Sequence, residues 1–180
     1  MEDFEKALYL LDEKLEKLDV DVIEIKAIGG FAMMYYGFRD QGYTIDIDSL
    51  TKEFNNTVIM AIKEVGRELN LDEEWLNTDC AKLEGFLDEL SSEINWLDSK
   101  YHFSHIDLRI ADTVGLLRSK AKAIHDGGTI PRSTDKKDLL AGLRSMEIFD
   151  IHTLDNSEQF QFIQKQYTRC YDYLKQIQTW

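Results

Sequence analysis

Residues 20–50 read VDVIEIKAIGGFAMMYYGFRDQGYTIDIDSL, and this stretch decides the fold. Residues 20–28 alternate, with β-branched side chains at Val20, Val22, Ile23, Ile25 and Ile28, as a half-buried strand does. Gly29-Gly30 ends that strand, residues 31–36 (FAMMYY) form a short apolar helix closed by Gly37, and residues 43–50 alternate again as a second strand. Strand residues two apart share a face, so Asp46 and Asp48 present their carboxylates side by side while Ile45 and Ile47 enter the core. Like charges held that close repel unless a cation sits between them, and hard oxygen ligands suit magnesium or manganese. Alternation alone also generates an exposed face with two aspartates, although Asp is poor in strands. A Gly-Gly pair at a strand-to-helix junction lets backbone N–H groups approach an anion, and an ordinary turn uses the same pair.

Upstream, residues 3–18 place Phe4, Leu8, Leu11, Leu15 and Leu18 at helical spacing, as an amphipathic scaffold helix does. Downstream, residues 55–71 predict a helix with Val58, Ile59, Ile62, Val65 and Leu69 on one face, followed by EEWLN at 73–77. Residues 81–97 suit a helix better than a strand, 101–110 (YHFSHIDLRI) predict a third strand, and 113–124 a further helix. Gly127, Gly128 and Pro131 punctuate the chain before a helix opening near Arg132, with Ser133 or Thr134 as its cap. Helical patches follow at 160–167 and 171–177. The expected fold class is α/β (α+β): a small mixed sheet flanked by helices in residues 1–145, and a helical C-terminal extension over 146–180.

The composition (43% hydrophobic, 31% charged, one proline in 180 residues) is that of a chain that folds on its own. An acidic N-terminal stretch and the lack of a charge-free membrane-length run argue for the cytoplasm and against a membrane. Cys80 and Cys170 suggest neither a disulfide framework nor zinc. A net charge of −13 argues against extended DNA or RNA binding. Residues 118–144, however, carry seven basic against three acidic residues and form the obvious place for a phosphate-bearing ligand.

Ile28-Gly29-Gly30 followed by Ile45-Asp46-Ile47-Asp48 resembles the mark of the nucleotidyltransferase superfamily. The run Gly29-Gly30-Phe31-Ala32, Gly37-Phe38-Arg39, Thr44-Ile45-Asp46-Ile47-Asp48 is similar to bacterial nucleotidyltransferase-like families related to abortive-infection toxins of the AbiEii type, as is Trp75-Leu76-Asn77. Their distal pattern resembles Lys120 and Ala123 followed by Arg132, Asp135, Asp138 and Leu139, so the likeness spans residues 25–143. Two features depart from it: Asp40, Gln41 and Gly42 lengthen the link before Thr44, and Thr134 stands where relatives carry a basic residue.

The resemblance implies a sheet of the nucleotidyltransferase type and a magnesium (or manganese) ion held by Asp46 and Asp48, gripping a nucleoside triphosphate. It implies a third carboxylate on a later strand, for which Asp107 is the candidate and Asp112 its rival, helping to hold a second ion. It implies that Gly29, Gly30, Thr44 and Lys120 serve the nucleotide, with Arg39 either touching phosphate or pinning its turn through an ion pair. Arg132, Asp135 and Asp138 support the site, or the two aspartates serve only as helix-dipole partners. The implied activity moves a nucleoside monophosphate to a hydroxyl of a tRNA end, a protein or a small molecule. The alternative is a non-catalytic nucleotide- or protein-binding domain paired with an antitoxin-like protein. His102 and His105 read as ordinary histidines rather than ligands, Met33, Met34, Tyr35 and Tyr36 as core and nucleoside-pocket wall, and Lys136 and Lys137 as a solvated face.

Overall fold

The computed structural model describes residues 1–39, 44–83, 85–127, 132–177 and 180. Asp40, Gln41, Gly42, Tyr43, Gly128 and Pro131, on which the second-strand start and two loop assignments fall, lie outside these residues. Helix α1 (Glu2–Lys17) buries the stripe Phe4, Leu8, Leu11 and Leu15. Strand β1 (Ile23–Ile28) leads into α2 (Gly29–Tyr35), and β2 (Ile47–Ser49) precedes α3 (Asn56–Leu69). Then come β3 (Leu76–Asn77), a 3-10 turn (Asp79–Lys82), α4 (Phe86–Leu90), β4 (Trp96–Asp98) and β5 (Ile106–Ala111). Helices α5 (Thr113–Asp126), α6 (Ser133–Ser145), α7 (Ile151–Asp155), α8 (Gln161–Gln166) and α9 (Thr168–Gln176) complete the chain.

The architecture is the expected mixed α/β one with a helical C-terminal region. The sheet order is β3-β2-β1-β5-β4, with β1 antiparallel to β2 and parallel to β5. Ile25, Ala27, Ile47, Leu108 and Ile110 are buried on one face, in one cluster with the apolar stripes of α1 and α3. Each fully buried aliphatic side chain contributes about 1.5–3 kcal/mol, so this face holds the sheet in place. The opposite face carries Glu24, Lys26, Asp48, Asp107 and Arg109, as the pairing of Ile28 with Asp48 and of Glu24 with Asp107 requires. A second apolar cluster joins Leu117, Ala121 and Ile124 of α5 to Leu139 and Leu143 of α6 and to the C-terminal helices. Gly142 admits this packing, since a Cβ there would overlap the Leu117 side chain. The close approach seats α6 against the α5 face that carries Lys120.

Several local expectations change, and the third strand predicted over 101–110 begins only at Ile106. Residues 81–97 are not one helix: a 3-10 turn, α4 and β4 share them, and Gly85 between the first two has a positive φ of 71° that breaks helical continuation. The second strand begins only at Ile47, so Ile45 is 73% exposed while Ile47 is fully buried. Helix α6 starts one residue after Arg132, without a side-chain cap from Ser133 or Thr134. Among the described residues, no helix is long and apolar enough to cross a membrane.

Candidate functional site

A cleft of about 1490 Å3 opens between the β1–α2 junction, the segment leading into β2, α4, α5 and the start of α6. Gly29, Gly30, Arg39, Thr44, Asp46, Asp48, Lys120, Arg132 and Asp135 all line it, so most of the residues selected from sequence come together. Gly29 has a φ of 66°, and a Cβ there would fall on the Asp48 carboxylate. Glycine therefore allows the β1–α2 corner to sit directly against Asp48. A Cβ on Gly30 would likewise overlap Thr44 Oγ1. Gly29→Ala is expected to cost about 1–3 kcal/mol of stability and to push Asp48 off its position, read as a lower urea midpoint together with weakened magnesium-dependent nucleotide binding.

Asp46 precedes β2 rather than lying on it, and Thr44 Oγ1 donates to Asp46 Oδ1 at 3.2 Å. Burial pushes the Asp48 carboxyl up to about 6, the negative charges of Asp46 and Asp79 push the same way, and Lys120 and Arg132 partly offset them. All four charges thus act on one carboxylate. The Cys80 thiol, also in the cleft wall, is pushed up to about 12 by burial and by Asp48, and is inert as a nucleophile.

The cationic side of the cleft is a buried ion network. Lys120 Nζ lies 2.8 Å from both Asp135 Oδ1 and Asp138 Oδ2. Arg39 Nε donates to Asp138 Oδ1 at 2.9 Å and its Nη2 pairs with Asp138 Oδ2, while Arg132 Nε bonds Asp135 Oδ2 at 2.8 Å. Burial alone raises the Asp135 carboxyl, but Lys120 and Arg132 outweigh it and hold the group below its ordinary value. Asp135 and Asp138 are thus buried partners of Lys120 and Arg39 rather than exposed dipole partners. Of the two roles open to Arg39, the ion pair is present.

Asp107 is not brought to this site. Ala27 pairs with Ile110, Asp48 sits one rung beyond that pair and Asp107 three rungs before it. Four rungs separate the two aspartates by about 13 Å along the strands. Asp107 instead accepts from Arg109 Nε at 2.8 Å, and Arg109 also pairs with Asp98 at 2.6 Å. Its rival Asp112 caps α5 by accepting from Gly115 N at 2.8 Å. Met33 and Met34 are core, Tyr36 donates to the Ala111 carbonyl, and none of residues 33–36 lines the cleft, which corrects their assignment to a nucleoside wall. His105 Nδ1 sits 2.8 Å from the Val20 carbonyl, outside the cleft.

Among the cleft carboxylates missed in the sequence, Asp79 is the one whose charge acts on Asp48. Trp75, fully buried with its Nε1 donating to the Ile62 carbonyl, anchors β3; Asn77 Oδ1 then accepts from Asp79 N and sets that turn. The Asn77-Thr78-Asp79 spacing carried an Asx-turn signal that could have marked it. Among the described residues, no group of three or more His, Cys, Asp and Glu side chains is arranged to hold a metal ion. The Asp46/Asp48 pair still suits magnesium, which binds through one or two carboxylates and fills its other positions with phosphate oxygens and water. No protein-family model, curated protein or solved structure matches this chain.

Proposed function

We propose that this chain is a metal-dependent nucleotidyltransferase, which moves a nucleoside monophosphate from a nucleoside triphosphate to a hydroxyl on an RNA end, a protein or a small molecule, in a toxin or phage-defence role. The observation that carries this reading is one cleft in which Asp46 and Asp48 face Lys120 and Arg132, with Gly29 allowing the chain to close against Asp48. A carboxylate pair beside fixed cations suits a metal–polyphosphate complex better than either charge alone. Asp46 and Asp48 would hold the divalent cation, which would supply positive charge against the charge developing at phosphorus. Lys120, oriented by Asp135 and Asp138, places a point charge for the phosphates, and Arg132, with an exposed side chain anchored to Asp135, reaches them from the rim. The acceptor oxygen bonds to the α-phosphorus, its proton leaves to solvent, and the bond to the bridging oxygen breaks to release pyrophosphate. Asp107 has no part in this scheme, because its separation from Asp48 leaves no shared ion.

Thermal unfolding of the protein with each nucleoside triphosphate, with and without magnesium, tests this reading. At a hundredfold excess over the dissociation constant the ligand adds about 2.7 kcal/mol, a rise of about 5–10 °C for a chain of this size. The rise is expected to require magnesium, to vanish in Asp46→Ala and to persist in Asp107→Asn. No rise with any nucleotide in the native protein would sink the proposal, and its loss in Asp107→Asn would restore the carboxylate set aside here.

A further inference from the structure

The cleft extends past the residues proposed to hold a metal–triphosphate, and its far arm has a different chemistry. Helix α5 forms one side and lines the cleft at Lys120, Lys122, Ala123 and Asp126. Six residues from Lys120 to Asp126 span about 9 Å, the reach of a ribose and a base beyond phosphates held at Lys120. Opposite stands an apolar wall: Leu83 is 56% exposed inside the cleft lining, and the Phe86 ring beside it carries Lys122 Nζ 5.6 Å from its centroid. Ala123, a small side chain on α5, also lines this arm.

The rim of this arm carries two carboxylates, Glu89 and Asp126, beside His125 and Arg169. Lys122 is buried, and its ammonium is satisfied by Glu89 Oε2 at 2.7 Å and Asp126 Oδ2 at 2.9 Å. Burial disfavours that charge, but the two carboxylates outweigh it and hold the lysine above its ordinary value. Lys122 is therefore held between its two carboxylate partners. Each carboxylate bonds Lys122 through one oxygen, which leaves the other as an acceptor on a half-exposed side chain. Carboxylate oxygens beside an apolar lining can accept from ring amino groups, which adenine, cytosine and guanine carry and uracil lacks.

We infer that the arm bounded by Leu83, Phe86 and Ala123 is a nucleobase subsite, and that its Glu89 and Asp126 rim favours bases with an exocyclic amino group over uracil. The inference rests on the nucleotide-binding reading of the same cleft, and the experiment separates the two. Calorimetric titration of the full chain with magnesium and, in turn, inorganic tripolyphosphate, ATP, CTP and UTP should show ATP and CTP binding about tenfold tighter than tripolyphosphate or UTP. Leu83→Ser, at an exposed position, and Ala123→Leu, which puts a larger side chain into the arm, should bring ATP down to the tripolyphosphate level while tripolyphosphate binding stays unchanged. An ATP advantage undiminished in both variants, or equal affinities for ATP and tripolyphosphate in the native protein, overturns the subsite and leaves the phosphate site standing. UTP binding as tightly as ATP overturns the selectivity of the rim. Failure of all four compounds to bind the native protein overturns the nucleotide reading itself.

Discussion

Asp48→Asn is expected to abolish magnesium-dependent nucleotide binding and to lower transfer about a thousandfold or more, while making the ligand-free protein more stable. The first effect follows from removing a charge that holds the cation, since stabilisation worth several kcal/mol is lost and each 1.36 kcal/mol is about tenfold in rate. The second follows from the cost of keeping that charge. Burial and the neighbouring negative charges raise Asp48 from 3.8 to about 6 in the folded chain. A raised carboxyl penalises folding whenever it is ionised, so the penalty is absent below about pH 4 and complete above about pH 6. Its size is up to about 3 kcal/mol. The variant should therefore gain stability at pH 7.5, lose that gain as the pH falls toward 4, and show no further rise with magnesium. Denaturant titrations of both proteins at the two pH values read this directly. A variant less stable than the native chain at pH 7.5 would show that Asp48 is not under the strain described. The same ionisation predicts that metal-dependent binding in the native protein weakens as the pH falls through about 6.

Asp138→Ala is expected to be the most destabilising single change in the site. Asp138 is buried and accepts from both Arg39 and Lys120, so truncating it removes an acceptor from each of two cations. Removing one member of a buried ion pair costs about 3–5 kcal/mol, because the remaining charge stays desolvated. For a chain of this length that is a fall of about 10 °C in Tm. Asp138→Asn keeps one acceptor and should lose less. Replacing Asp138 together with Lys120, as Asp138→Leu with Lys120→Met, should recover stability relative to Asp138→Ala but not nucleotide binding. A fall below about 1 kcal/mol in Asp138→Ala would mean that the network is screened as a surface ion pair is.

Much of the fold was readable because its signals are local. β-branched alternation ending in Gly29-Gly30 marked β1, and the 3.6-residue stripes of Leu8, Leu11 and Leu15, and of Val58, Ile62 and Val65, marked α1 and α3. The error over residues 81–97 has a non-local cause. Their apolar spacing is compatible with a helix, but the strand that interrupts it, β4, owes its conformation to pairing with β5, which sequence periodicity does not record. Ile45 misled for a related reason: alternation runs through residues 43–50, yet among the described residues the ladder pairing to β1 and β3 covers Ile47–Ser49.

The candidate site divides along the same line. Sequence by itself supplied the candidates: two aspartates in the segment read as the second strand, two glycines at the junction before it, and an excess of basic side chains over residues 118–144. Tertiary structure decided which of these groups meet. An Ile-Asp-Leu on an alternating strand looks the same whether its aspartate reaches the cleft or stops four rungs short, because register belongs to the pairing of β5 with β1 and not to either strand alone. Likewise, four of the seven basic residues in that segment proved to be tied to carboxylates: Lys120, Lys122, Arg118 and Arg132. Net charge along the chain counts ions but not their partners, and only folding brings Asp135 and Asp138 to Lys120, or Asp79 to Asp48.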